Sequence, residues 1–501
     1  MPSQTVDKSS GSSRVPLNAA LLSSSQFVRA AIGFVFFLFL ARRLGPEDFG
    51  RYMFAFALSE IFSILGDVGL HEYTIREIAR KPEQLRERLA GILGLKTLLS
   101  CSSAIIMIAI VPLMGKDRPT SMAVVAFALA QIGYSWFYTS TIAFSVKQDL
   151  HIQAFLWLFE KVLFATGGVI ALLIWHDFVL VALSNTVVQF TGGVLAVWIV
   201  WRKYGPFILR IDRGLWPGYL KAALPFGMIV AFYLVYFRVD SVMISFFRGE
   251  TANVEVGQYA SAYNLISALL FIPAGLVAAL FPKLAGQFRK PTDNLDGPFQ
   301  KACRWLLVIS MPMAVGGWLL SEKVILFFLK DQYLPATTAL AILSWVLPVW
   351  FVTFLQGNIL TVVERQKAVA GVGFINMVVN VGLNLVFIPP YGFTAAAVTT
   401  LITEVLGLVM MFYLLRNNIS LLRTLKTALI LALLSAVTGV LVWLLRDRIH
   451  VLAVIAIAIV VYTAAVLALR IIPMSEIATI FRRGKVVEED VEEIDLPSSG
   501  P

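Results

Sequence analysis

Charge and cysteine are scarce in this sequence. Only 14% of its 501 residues are charged, and only two, Cys101 and Cys303, are cysteines. Soluble globular chains carry about 25% charged residues, so the composition excludes an ordinary soluble protein. Two cysteines exclude a disulfide framework, and the four histidines are too scattered to form a metal-binding cluster with them. We therefore expect two buried, unreactive thiols and no metal site.

Several catalytic and targeting signatures are also missing. The sequence has no Walker-type glycine-rich loop and no GxSxG setting for a nucleophile. We therefore expect no ATP coupling within the chain, no cofactor and no enzymatic activity. The first 16 residues are polar and are not followed by a short apolar core with a cleavage site, so no secretory signal peptide is predicted.

Long apolar runs are what the chain has in abundance. Hydrophobic residues make up 58% of it, and the mean hydropathy is +0.80. Runs of about 20 apolar residues are long enough to cross a bilayer as helices. We predict an all-α polytopic membrane protein with about 14 transmembrane helices and no inserted soluble domain.

The basic residues alternate between loops. The N-terminus, every second loop and the C-terminal tail together hold about three times as many Lys and Arg residues as the other loops. This bias predicts a multi-pass protein of the cytoplasmic (inner) membrane with both termini in the cytoplasm. It also accounts for the net charge of +10 without a nucleic-acid partner.

The chain repeats a short motif. Gly50-Arg51-Tyr52 opens the second apolar segment, and Gly257-Gln258-Tyr259 opens the eighth. The repeat predicts two six-helix bundles related by a pseudo-two-fold axis along the membrane normal, with a substrate path between them. The predicted divisions are a cytoplasmic tail (1–16), an N-terminal bundle (17–201), a basic cytoplasmic linker (202–221), a C-terminal bundle (222–415), an extra helix pair (427–471) and an acidic cytoplasmic tail (472–501).

The linker allows two interpretations. Its basic residues alternate with large apolar ones, which is typical of an amphipathic segment lying on an anionic membrane surface. It could equally be an ordinary positively charged cytoplasmic loop.

Polar side chains within the apolar segments are the candidate site residues, because a charge at the centre of a membrane helix costs about 2.5–3.5 kcal/mol. Arg29 and Arg238 occupy corresponding helices of the two bundles and predict a central cavity with a cationic interior. The predicted cavity-lining, substrate-binding residues are Arg29, Glu60, Asp67, Arg238, Asp240, Asn264, Asn376 and Asn380.

Each candidate also has a structural explanation. Asp67 or Asp240 could neutralise the arginines locally, and Lys96 and Lys161 could extend to the membrane surface. Asn376, Asn380 and Asn384 recur every four residues and could form hydrogen bonds between helices instead of facing substrate.

The stretch from Ala41 to Arg80 contains a turn and a family resemblance. Gly45, Pro46 and Gly50 predict a structural turn between the first two segments, with Glu47 or Asp48 capping the second. The LGPEDFG turn and the GDVGL helix end resemble the opening of the polysaccharide-export flippases. That family is the lipid-linked oligosaccharide branch of the multidrug/oligosaccharide-lipid/polysaccharide exporter superfamily.

The resemblance implies a function. It implies a flippase that moves a polyprenyl-diphosphate-linked oligosaccharide across the membrane by alternating access, for surface polysaccharide biosynthesis. It also implies contact with membrane lipids and a polysaccharide assembly machinery, and coupling to a cation. The arginines agree with an anionic diphosphate substrate.

Two other functions are compatible with parts of the sequence. A cation-coupled drug exporter of the same superfamily would favour acidic cavity residues, which Glu60, Asp67 and Asp240 could supply. A membrane glycosyltransferase or polymerase would need a large outer loop with catalytic groups, and the predicted outer loops are short.

Overall fold

A computed structural model describes residues 14–206, 214–278 and 295–473. The regular elements within these ranges are all helical, which confirms the predicted all-α class. The longer helices are α1 (Arg14–Asp67), α2 (Leu70–Arg80), α3 (Leu85–Ile110), α4 (Arg118–Val146), α5 (Leu150–Ile174), α6 (Phe178–Tyr204), α7 (Trp216–Phe247), α8 (Ala252–Ser267), α9 (Asp296–Leu319), α10 (Ser321–Phe328), α11 (Ala336–Ser344), α12 (Val346–Val362), α13 (Gln366–Leu415), α14 (Leu421–Leu445) and α15 (Val451–Ala468).

Many of these helices can cross a membrane. In the described part of the chain, 11 are long and apolar enough, or 12 if α11 and α12, which meet at a 43° bend, form one span. Two of the 11, α1 and α13, are about twice the length that a bilayer requires, and they break at Gly45 and Gly392. Counting their halves separately would give the predicted 14, and this count stays a prediction.

The break in α1 lies at the predicted turn. Gly45 has φ 73°, a left-handed conformation that glycine adopts without strain, and Pro46 follows it. The carboxylates of Glu47 and Asp48 accept hydrogen bonds from Arg51, at 2.8 Å each. These acids therefore bind the side chain of Arg51 in the first turn of the second half of α1, whereas the sequence predicted that one of them caps the backbone of this helix.

The second half of α1 ends at Asp67, within the GDVGL motif. The Asp67 carboxylate accepts a hydrogen bond from the backbone N–H of Gly69 at 3.1 Å. Val68 and Gly69 both have positive φ, and the amphipathic helix α2 then starts in a new direction. The segment after Gly69 therefore continues as a helix, because Leu70, Thr74 and Ile78 recur at helical spacing and are buried on one face.

The predicted linker is partly helical. Helix α7 already begins at Trp216, and Trp216 and Tyr219 pack against Leu70 and Leu95. The end of the predicted linker therefore contacts the N-terminal half of the protein. Residues 207–213, nearly all of the N-terminal tail and nearly all of the acidic tail lie outside the described residues.

The two halves meet at the first glycines of the repeated motif, Gly50 and Gly257. A methyl group added to Gly50 would overlap the carbonyl oxygen of Asn253, and one added to Gly257 would overlap that of Pro46. Asn253 and Pro46 are as far apart in sequence as the two glycines are. The contact is therefore reciprocal, and we call this part of the molecule the Gly50 end.

We expect Gly50→Leu to lower the amount of protein in the membrane several-fold, because its side chain would separate two helices whose backbones touch. Gly257→Leu should act in the same way, since it meets the corresponding carbonyl. Immunoblotting of membrane fractions measures the effect.

Gly371→Leu is the matched control, because no described residue outside its own stretch of helix lies within 4 Å of its added carbon. Normal abundance of the Gly50 variant with no transport would instead indicate that the turn acts as a gate.

Candidate functional site

A cavity of about 670 Å³ lies between the two halves. Helices α1 to α6 supply most of its wall, and α7 together with Asn264 of α8 supplies the rest. At the end opposite the Gly50 end, the halves touch again where Gly69 packs against Gly227 of α7. The cavity is thus bounded by contacts between the halves at two levels.

The cavity wall carries charges of both signs in equal number. This balance corrects the expectation of a cationic interior, and it arises because the basic side chains are accompanied by acids from neighbouring helices. The charged lining residues are Arg29, Glu60, Asp67, Glu72, Lys96, Glu160, Lys161 and Arg238.

Arg238 forms an ion pair that joins the halves. Its guanidinium on α7 binds the carboxylate of Glu60 in the second half of α1 and lies 5.1 Å from the ring of Phe56. The partner is therefore neither Asp67 nor Asp240, the two local acids considered from the sequence. Separating a partly buried pair leaves each charge without its partner, so this contact resists relative movement of the halves.

Lys96 forms a second ion pair, with Asp67. Only 1% of Lys96 is exposed, and its ammonium group lies 5.4 Å from the ring of Tyr138. The side chain does not extend to the membrane surface, as one interpretation of the sequence allowed. Its ammonium group instead provides the counter-charge for Asp67, the last residue of α1.

Arg29 and Lys161 line the cavity without such a partner. Within the described part of the chain no carboxylate lies within the 4.0 Å ion-pair distance of either group. Arg29 lies 4.8 Å from the ring of Trp157, and its buried Nε atom has no hydrogen-bond partner among the described residues. Lys161 lies 5.5 Å from the ring of Phe164. These two cations are the groups most available to an anion.

Five of the eight predicted residues line this cavity, namely Arg29, Glu60, Asp67, Arg238 and Asn264. The other three, Asp240, Asn376 and Asn380, are buried within the C-terminal half, so their predicted place in the cavity is wrong. Asp240 lies two residues from Arg238, and residues at this spacing point to different sides of a helix.

Asp240 is instead the centre of a hydrogen-bonded cluster. It is 3% exposed and accepts hydrogen bonds from Tyr259 (2.5 Å), Asn384 (2.6 Å) and Thr400 (3.1 Å). Asn384 also donates to Asn380 (3.0 Å). Asn380 and Asn384 thus form hydrogen bonds within the C-terminal bundle, which is the structural explanation that the spacing of the asparagines allowed.

Three further charged residues line the cavity that the sequence did not identify as cavity residues, namely Lys96, Glu160 and Lys161. Their signal was present, since each is a charge within a predicted apolar segment, but near the ends of a segment a charge can also reach the membrane surface. Tyr134 and Tyr138 gave no signal, because a tyrosine in an apolar helix can equally face lipid or the protein core.

The fold is similar to those of solved membrane transporters. A solved structure of the lipid II flippase MurJ in an inward closed conformation matches 90% of this chain and 99% of its own length, with 16% identity and a TM-score of 0.75. An inward-facing multidrug resistance MATE family transporter of the MOP superfamily matches 80% and 95%, with 12% identity and a TM-score of 0.60. A MOP superfamily transporter from Pyrococcus furiosus matches 83% and 95%, with 12% identity and a TM-score of 0.52.

Two family models match the sequence itself. The model described as "Polysaccharide biosynthesis protein" covers residues 17–286, which is more than half of the chain. The chain therefore belongs to the polysaccharide biosynthesis protein family, as the resemblance implied. The model described as "Lipid II flippase MurJ" covers residues 218–463. A comparison with curated proteins gives no match.

The Lys96–Asp67 pair leads to a stability prediction. We expect Lys96→Met to destabilise the protein by about 3–5 kcal/mol, because it leaves the Asp67 carboxylate without its counter-charge. The double variant Lys96→Met/Asp67→Asn should recover most of this loss, since it removes both charges. Thermal unfolding of the purified proteins measures both effects, and a double variant no more stable than the single one would contradict the explanation.

Proposed function

We propose that this protein is a flippase that moves a polyprenyl-diphosphate-linked oligosaccharide across the membrane for surface polysaccharide biosynthesis. The observation that carries the proposal is that Arg29 and Lys161 line a cavity between two halves without a carboxylate partner. Guanidinium and ammonium groups bind phosphate oxygens through charge-assisted hydrogen bonds. Family membership and the MurJ-like fold support a lipid-linked substrate.

The Arg238–Glu60 pair suggests how substrate binding drives movement. A diphosphate held by Arg29 and Lys161 would compete with Glu60 for the guanidinium of Arg238. If the diphosphate replaces Glu60 at Arg238, the ion pair between the halves is lost while Arg238 keeps an anionic partner. Substrate binding would therefore lower the free-energy cost of moving the halves apart, as alternating access requires.

The orientation is part of the proposal. The loop charges assign the Gly50 end to the outer face of the cytoplasmic membrane and both termini to the cytoplasm. Contacts between the halves accumulate at that end: Lys116 donates to the Ser245 carbonyl at 2.6 Å, and Tyr333 donates to that of Ala41 at 2.9 Å. In this state the path to the outside is closed, and a polysaccharide assembly machinery would receive the glycan there after transport.

Export of cationic drugs is the second candidate, because MATE transporters share the fold. A cationic substrate would need a carboxylate without a counter-charge. Glu60 and Asp67 are both paired with bases, and the charged cavity groups without an ion pair among the described residues are two cations, Arg29 and Lys161, and two acids, Glu72 and Glu160. The family match, together with the unpaired Arg29 and Lys161, is therefore what favours an anionic lipid-linked substrate.

We extend the proposal to a coupling cation at Asp240. A buried carboxylate surrounded by the oxygens of Tyr259 and Thr400 offers the hard oxygen ligands that a proton or a small monovalent cation requires. Asp240 lies two residues from Arg238 on α7, so occupation of the cluster can affect the helix that carries the contact between the halves.

We expect Arg29→Gln to insert normally and to lose most transport, because Gln keeps the hydrogen-bonding capacity but not the charge. Arg238→Gln should also lose transport, and the Lys variants should be intermediate, since lysine does not make bidentate contacts with phosphate. Outward transfer of lipid-linked glycan, normalised to membrane abundance, measures this.

Arg118→Gln is the matched control, because this exposed arginine lies outside the cavity. Abundant Arg29 and Arg238 variants with normal transport would exclude the diphosphate contact.

We expect Asp240→Asn to abolish the stimulation of transport by an imposed proton or sodium gradient while basal exchange persists. Proteoliposomes with each gradient in turn measure the effect, and Asp447→Asn, in the exposed turn after α14, is the control. Undiminished stimulation in the Asp240 variant would contradict coupling at this cluster.

A further inference from the structure

The cavity wall contains a stack of three rings that the diphosphate contact does not use. Tyr134 and Tyr138 of α4 lie parallel, with centroids 5.4 Å apart and planes 12° apart. His71 of α2 stacks on Tyr138 at 3.6 Å and 11°. Tyr134 ends the stack and is 44% exposed even though it lines the cavity. The wall thus presents a flat aromatic surface to whatever occupies the cavity.

Buried polar atoms without protein partners surround this stack. Ser135 Oγ, Gln189 Oε1 and His71 Nδ1 each lack a hydrogen-bond partner among the described residues, and each residue is more than nine-tenths buried and lines the cavity. The other amide atom of Gln189 donates to Glu160 at 2.9 Å, which fixes the orientation of the group. Polar atoms of this kind are costly unless a ligand or water satisfies them.

The packing of two helices places these groups together. A methyl group at Gly133 would lie 2.5 Å from the backbone of Gln189, so α4 and α6 touch at this glycine. Tyr134 and Ser135 follow Gly133 in α4, and both line the same cavity as Gln189 of α6. A larger residue at position 133 would move α4 away from α6.

A flat aromatic face flanked by hydrogen-bonding groups fits one side of a sugar ring. The negative face of a tyrosine ring attracts the weakly positive C–H groups of a pyranose, and the hydroxyl groups at the edge of the sugar can satisfy amide and hydroxyl partners. Pockets that bind small ligands combine these same two features. A free phosphate or a bare lipid tail would use one feature and leave the other unsatisfied.

We propose that Tyr134, with Ser135 and Gln189, forms a subsite for a pyranose ring of the glycan, and this inference rests on the proposed function. Tyr134 and Arg29 line the same cavity, so the sugar would adjoin the diphosphate. The subsite would contribute to substrate specificity, because it would bind the glycan separately from the diphosphate.

The test compares two probes bound to the purified full-length protein in nanodiscs. One is farnesyl diphosphate, and the other carries N-acetylglucosamine, glucose or galactose on the same diphosphate. We expect a sugar to strengthen binding by the wild type, and Tyr134→Leu to reduce that gain by about two- to tenfold. Binding of farnesyl diphosphate should not change, whereas Arg29→Gln should weaken binding of both probes.

Two further variants separate the ring from other effects. Tyr134→Phe keeps the aromatic face and should keep most of the gain, while Phe155→Leu, on a 62% exposed residue of α5 outside the cavity, should change neither affinity. If none of the three sugars strengthens wild-type binding, or if Tyr134→Leu keeps the full gain, the subsite is refuted while the diphosphate site stands. If neither probe binds the wild type, the proposed function fails, and the subsite fails with it.

Discussion

A charge inside a bilayer must have a counter-charge, hydrogen bonds or water, and this requirement determines the arrangement of the cavity. Lys96 meets it through Asp67, and Arg238 meets it through Glu60. Arg29 and Lys161 meet it by facing the space between the halves. A charge that has not been neutralised within the protein is available to a ligand, so the cost of burial and the capacity for binding have the same origin.

The two halves contribute unequally to the cavity. The N-terminal half supplies most of the cavity wall, including the cations without partners and the aromatic stack. The C-terminal half supplies Arg238 and, deeper within its own bundle, the Asp240 cluster. Helix α7 carries both of these residues and touches the N-terminal half at Gly227 as well. It is therefore one of the elements that join the halves, as α8 does at Gly257.

Much of this arrangement could be predicted from the sequence, and the limits have physical causes. Apolar length located the helices, and the Gly45-Pro46 turn located the break in α1. Intramembrane charge identified Arg29 and Arg238 as cavity residues. Sequence could not pair Arg238 with Glu60 or Asp240 with Asn384, because the partners lie on helices far apart in the chain and many pairings satisfy the same charges. The sequence also gave no reason to select Tyr134, because a tyrosine in an apolar helix is equally compatible with facing a cavity and with facing lipid.

The reciprocal contact of Gly50 and Gly257 has the geometry of an isologous interface, in which each partner presents the same surface. Such an interface is the one that two identical subunits form in a symmetric dimer. Here the two subunits are joined in one chain, so the interface must stay matched while the surfaces away from it need not be alike. Covalent fusion thereby permits one half to carry most of the cavity wall and the other the buried Asp240 cluster, a specialisation that a dimer of identical chains could not achieve.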